Sequence, residues 1–344
     1  MRERIRYFDV LRIICFAAVL YYHMIVQLYL SDYYPVETVS PLFSNANMGL
    51  GSLAVGIFFM LSGAGLMTST KDSINLKSFY VKRLSRLLVP FYVVVAGFLA
   101  YLGLIAHDLG SVFAPGVPKW RMIFNFLGMD TWLNSCGIAT YNTTIGEWFL
   151  GCLIVLYILF PLFRFLLLKN KWIFLGVSTL IYVLSALFYP FKLSMDLCII
   201  FKAYEFILGM YLGLFWKKIS PKVLFITVPV MLFNAFFPFH VQIPYVFNIT
   251  ALSLSIFMTV SLLEPKLQKI GGKTLALISG LTYPIFLTHH QVIYRMTPGM
   301  RPYLSTPVTF VVMYLLELVV IIILAVVVNF ISSRLLKLLS SLGK

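Results

Sequence analysis

Ten stretches of predominantly apolar residues, most of them close to twenty long, recur along the chain at 9–30, 48–68, 87–106, 147–167, 172–190, 199–216, 223–238, 247–263, 275–294 and 307–332. About twenty apolar residues cross the hydrocarbon core of a bilayer as a helix, and only helices and closed barrels satisfy every backbone polar group there. The pattern predicts an all-α, polytopic integral membrane protein with about ten transmembrane helices. Composition agrees, with 60% hydrophobic and only 11% charged residues, against roughly 45–50% apolar content in soluble domains. The first run is followed by no small-residue cleavage site, so it reads as a helix rather than a signal peptide. A single transmembrane domain is expected over residues 1–344, without a separate soluble domain.

The net charge of +15 raises the question of nucleic acid, but a nucleic-acid protein clusters its Lys and Arg on a polar domain, and no polar stretch here is long enough to form one. The cations read as topology instead. With the N-terminus in the cytoplasm, the segments 1–12, 69–86, 164–172, 217–222, 264–273 and 333–344 collect 21 Lys and Arg. The opposite side holds Lys119, Arg121, Lys192, Arg295 and Arg301. This asymmetry follows the positive-inside rule and predicts two cytoplasmic termini in a multi-pass protein of the cytoplasmic membrane. The external segment 107–146 is large enough to shape a binding surface or re-enter the membrane, and too small for a domain. Cys15, Cys136, Cys152 and Cys198 lack metal-ligand spacing, so no disulfide framework and no metal site are expected.

Within this apolar background a few polar groups stand out. Arg12 and His23 are eleven residues apart, close to three helical turns, which places them on one face about 16 Å apart along the axis. Arg12 alone reads as a snorkelling anchor near the cytoplasmic end, with Asp9 three residues earlier as a partner. His23 lies past mid-membrane, where ionisable groups face a polar interior; a neutral histidine bonded to a neighbouring helix is the equal alternative. Arg83 and Arg86, at i and i+3 in KRLSRLLVPFY, share a face at the entry of the third run. Such a pair is ordinarily a positive-inside flank, but arginine is also suited to bidentate phosphate contacts. Combined with a deeper histidine, it points to an anionic ligand held at the cytoplasmic mouth with its reactive end directed inward.

Taken together, the Arg12-x10-His23 pair, the segment GIFFMLSGAGL (Gly56 to Leu66), the RLSR cluster followed by Pro90, and YPIFLTHH (Tyr283 to His290) resemble the acyltransferase 3 family in its order and over essentially the whole chain. Its members are ten-helix membrane proteins that move an acyl group, commonly acetyl from acetyl-coenzyme A, onto hydroxyls of cell-surface saccharides. The resemblance implies that His23 is catalytic, that Arg12, Arg83 and Arg86 bind the acyl-CoA donor, that Ser62 lies near the reaction centre and that His289 is the histidine of the late motif. Two departures are visible. NTTIGEWFL (Asn142 to Leu150) stands where many members have Trp-Ser-Leu-x-x-Glu, with Glu147 in the glutamate's place as a second catalytic candidate. Pro90 follows Arg86 by four residues rather than three, which points to another branch.

Acyl transfer needs a deprotonated nucleophile, and a neutral imidazole is matched to that task near neutral pH. His23 is therefore assigned as general base, with an acyl-histidine left open and Ser62, Tyr22 and Asn142 as candidate oxyanion donors. The implied partners are acyl-CoA, a saccharide acceptor and the lipid bilayer, with no nucleic acid; the sequence does not set the oligomeric state. Lys202 and Glu205 are intramembrane groups at i, i+3 that read as a mutual pair, and Glu317 is a third intramembrane ionisable group. Gly209-x-x-x-Gly213 reads as a close helix crossing. His290 reads as interfacial, and His107 and His240 carry no assigned role. A transporter is the principal rival, but it predicts inverted repeats with matched broken helices, and none is visible. A flippase or polymerase of lipid-linked sugar ordinarily needs more spans or larger external loops.

Overall fold

The structure, a computed structural model, describes residues 4–30, 45–112, 115–141, 145, 147–236, 244–269 and 272–342. These residues form ten long helices: α1 (Arg6–Leu30), α2 (Asn45–Thr70), α3 (Leu76–Leu104), α4 (Glu147–Lys169), α5 (Lys171–Leu187), α6 (Ile199–Phe215), α7 (Leu224–Phe236), α8 (Tyr245–Ser261), α9 (Gly272–Met300) and α10 (Pro307–Leu342). The described residues contain helices and no strand, and each apolar run coincides with one long helix. Starts are set locally. The Asn75 side chain accepts from Ser78 N at the head of α3, and Asn170 accepts from Ile173 N at the head of α5, as N-cap chemistry requires.

Six of the helices are long and apolar enough to cross a bilayer: α1, α2, α3, α4, α6 and α10. The count falls short of ten for two reasons. α5, α7 and α8 are 17, 13 and 17 residues long, below the usual twenty, whereas α6 reaches 20 residues through the 3-10 turn that continues it to Lys218. The 29-residue α9 has length enough but carries Ser279, Thr282, Thr288, His289, His290, Gln291 and Arg295, which lower its mean hydropathy. The polar residues of α9 are also those that build the site.

α2 is the most enclosed span and α10 the least. α2 crosses α6 so closely that a Cβ on Gly213 would lie 2.6 Å from the Ala64 carbonyl oxygen, and Gly209 lies against the Met60 backbone. The small-residue stripe thus serves the close approach its spacing predicts. In the same crossing, Lys202 Nζ is 3.0 Å from Glu205 Oε2 with both side chains buried, and Thr250 Oγ1 adds a bond to Glu205 Oε1 at 3.4 Å. α1 packs against α2 and α9, and α9 in turn against α10 and α3. Exposed apolar side chains on α5 and α10, among them Leu180, Ile181, Val311 and Ile323, supply lipid-facing surface.

The segment before α4 folds onto that helix instead of forming a separate unit. Gly128, at φ +69°, rests on Gly151 and the Glu147 carbonyl; only glycine combines that backbone with that proximity. Asn125 Nδ2 donates to Tyr141 O at 2.7 Å, and Tyr141 OH to Val117 O at 2.7 Å.

Candidate active site

A cavity of about 520 Å³ opens at the end of the bundle where α1 begins and α2 ends. Its mouth carries Arg4, Arg12, Arg83 and Arg86, and its walls include Ser62, Tyr157, Ser279 and Tyr283. Asp9, buried, organises this mouth. It receives Arg4 Nε at 2.6 Å, Arg12 Nη1 at 3.2 Å and the Ser279 hydroxyl at 2.7 Å. One carboxylate thereby fixes two cations whose remaining donors face the cavity. Arg83 Nη2 donates to Ser69 Oγ at 3.0 Å, leaving part of its fork for a ligand, and Tyr157 and Ser62 both face the cavity. The start of α1 is itself held from a distance: Glu264 accepts from Arg6 N at 3.0 Å and from Tyr7 N at 2.7 Å. The anionic side chain at a helix N-terminus satisfies two orphan donors.

At its inner end the cavity is closed by Phe58, Phe149 and Phe286. Immediately behind Phe286 lies a cluster of three histidines. The Phe286 and His289 ring centroids are 5.4 Å apart, His289 and His23 5.0 Å, and His23 and His290 4.0 Å. His290 Nε2 is 3.0 Å from Nε2 and 3.1 Å from Nδ1 of His23, with the ring planes at 83°, so it approaches the two His23 nitrogens equally. His289 donates its Nδ1 proton to the Phe286 carbonyl at 2.6 Å, which leaves Nε2 as an imidazole lone pair.

The structure therefore gathers the sequence candidates into two groups. Arg12, Ser62, Arg83 and Arg86 line the cavity. His23 and His289 meet one aromatic layer deeper and are not on its wall. Glu147 is not among the residues lining the cavity. It is buried at the head of α4, where Oε2 accepts from Ile145 N at 2.8 Å. Asn142 lies outside the described residues, as does His240. His107 is exposed with φ 51°.

One expectation is corrected. His290 is not interfacial: it is buried and bonds His23. Consecutive helical residues point about 100° apart, and both faces are covered here because α9 is packed between α1 and α10. Asp9, Arg4, Tyr157 and the phenylalanine layer carried no comparable signal in the sequence. Only the Asp9-x-x-Arg12 spacing hinted at any of them.

The profile of the acyltransferase 3 family, described as an acyltransferase domain, matches residues 5–334. The chain is also 32% identical over 115 residues to an acyltransferase, MdmB, from Streptomyces mycarofaciens; the match spans 33% of this chain and 28% of that protein. No solved structure shows significant similarity. The chain belongs to the acyltransferase 3 family.

Proposed function

We propose that this membrane protein transfers an acyl group, acetyl in the first instance, from acyl-coenzyme A to a hydroxyl of a cell-surface saccharide. The observation that carries the reading is the stacking of two chemistries along one axis. A cavity ringed by four arginines suits an anionic donor head, since charge-assisted contacts to phosphate are the strong ones. One ring layer further in stands a cluster of imidazoles, with His289 and His290 buried and His23 half-buried. The positive-inside count supports a cytoplasmic arginine mouth, the side on which acyl-CoA is found. A slender thioester arm would lie past Ser62 and Tyr157 and part the rings of Phe149 and Phe286 to reach His23.

In this mechanism His290 Nε2 sits against the His23 ring, and neutral His23 presents one nitrogen lone pair to the acceptor hydroxyl. That nitrogen takes the proton of the acceptor hydroxyl as the oxygen attacks the thioester carbonyl. The carbon–sulfur bond then breaks, and the imidazolium returns its proton to the departing thiolate. The products are an O-acyl saccharide and free coenzyme A. His290 orients the base, as the third member of a triad does. Ser62 and Tyr22 are the candidate donors to the oxyanion, and the folded segment over α4 with Glu147 is the candidate acceptor surface.

Purified protein in sealed proteoliposomes, given radiolabelled acetyl-CoA and a panel of surface glycans on either side, tests the reading. Labelled ester with stoichiometric free thiol is expected. Movement of an unmodified substrate across the bilayer, without thiol release, would place the protein among transporters.

A further inference from the structure

We propose that His23, His289 and His290 form a binding site for a zinc-class divalent ion, and that occupancy switches the acyltransferase off. The three side chains offer ligand nitrogens that all lie within 4.8 Å of one another. Tetrahedral zinc holds imidazole nitrogens at 2.0–2.1 Å, which corresponds to a nitrogen–nitrogen spacing of about 3.3 Å. Small χ rotations of three rings supply that contraction. The pair His23 and His290, at 3.0 Å with ring planes at 83°, is already close to that spacing, and a turn of the His23 ring presents one of its lone pairs to an ion between them.

The state of His289 favours a cation over a purely structural role. Its Nδ1–H is committed to the Phe286 carbonyl at 2.6 Å, and a bond of this kind on the far ring nitrogen fixes tautomer and ring direction in metal-ligating histidines. Its Nε2 is buried and has no hydrogen-bond partner among the described residues, and Nδ1 of His290 is in the same condition. A buried acceptor without a donor costs about 1–3 kcal/mol, and an ion on Nε2 of His289 relieves it. Three neutral imidazoles from two helices are the donor set that leaves a fourth coordination position open. They retain a borderline ion such as zinc in preference to magnesium or calcium, which take oxygen ligands.

Binding does not depend on the acyl-transfer reading, whereas the effect on turnover rests on it. A metal on His23 removes the lone pair that accepts the acceptor proton, so an occupied site is an inhibited one.

The test is a cobalt(II) titration of the full-length, tag-free protein in detergent, followed by zinc competition and by acetyl transfer at matched zinc concentrations. We expect one equivalent of cobalt with the visible bands of a tetrahedral site. Affinity should fall at least 10-fold in His289→Ala and in His290→Ala and remain unchanged in His107→Ala, an exposed histidine outside the cluster. Absence of one-equivalent uptake by the wild-type protein overturns the site without reference to any variant, as does wild-type affinity in both cluster variants. Turnover that persists at saturating zinc overturns the inhibitory role. Cobalt uptake with no acyl transfer under any condition leaves the metal site standing and removes the proposed activity. Transfer without cobalt uptake does the reverse.

Discussion

The rings of Phe149 and Phe286 lie 4.5 Å apart, and both close the inner end of the arginine-lined cavity. Phe286 also backs onto His289, so this pair is the partition between donor cavity and imidazoles. A partition that excludes water protects a thioester from hydrolysis. Phe286→Ala is expected to raise acceptor-independent hydrolysis of acetyl-CoA several-fold while donor affinity stays within about 3-fold, as read by thiol release and calorimetry. Unchanged hydrolysis in a folded variant would show that the layer is not the barrier.

The arginines make a second prediction. Arg83 and Arg86 lie on one face of α3 at the mouth, and hydrogen bonds to charged groups contribute about 1.5–3 kcal/mol. The double variant Arg83→Gln, Arg86→Gln should weaken coenzyme A binding by roughly 10- to 100-fold while the acceptor KM changes little. Isothermal titration and acceptor kinetics separate the two effects. Equal losses for donor and acceptor would argue against a phosphate role.

Much of this architecture was legible in the sequence because it is periodic or local. Ten apolar runs became ten helices, the Lys202 and Glu205 spacing became a buried ion pair, and Gly209 and Gly213 met the backbone of α2. What escaped is long-range. Asp9 pairs with Arg12 as its spacing predicts, but it also receives Ser279 of α9, and Glu264 caps a helix that begins more than 250 residues earlier. No local pattern encodes such pairings. His290 was misplaced because burial depends on what covers both faces of α9, which only the packing decides.

Lys202 and Glu205 offer a test of what the buried pair contributes. Removing one partner of a buried ion pair leaves an uncompensated charge and costs about 3–5 kcal/mol, whereas replacing both by apolar residues is close to neutral. Lys202→Met should therefore destabilise the protein strongly, and Glu205→Leu added to it should restore most of the loss. Denaturant unfolding in micelles measures the cycle, and additive losses would indicate that the two charges do not interact.

Asp130, in the folded segment before α4, gives a pH signature. Burial pushes its carboxyl up to about 6, so the ionised form is disfavoured in the folded protein. Stability contributed by the protonated carboxyl is present at acid pH and is lost as pH rises through about 6. Asp130→Asn should accordingly stabilise the protein at pH 8 and have little effect near pH 4. Thermal unfolding across that range checks the sign, and a variant less stable than wild type at pH 8 would contradict it.

The central claim concerns where the reacting carbon sits. Cryo-electron microscopy of the protein with a non-hydrolysable acetyl-CoA analogue measures it directly. The account predicts phosphates on Arg12, Arg83 and Arg86, and a carbonyl carbon past the Phe149 and Phe286 rings, close enough to His23 for one hydroxyl oxygen to bridge them. A carbonyl held on the arginine side of those rings, with His23 still sealed behind them, would contradict it.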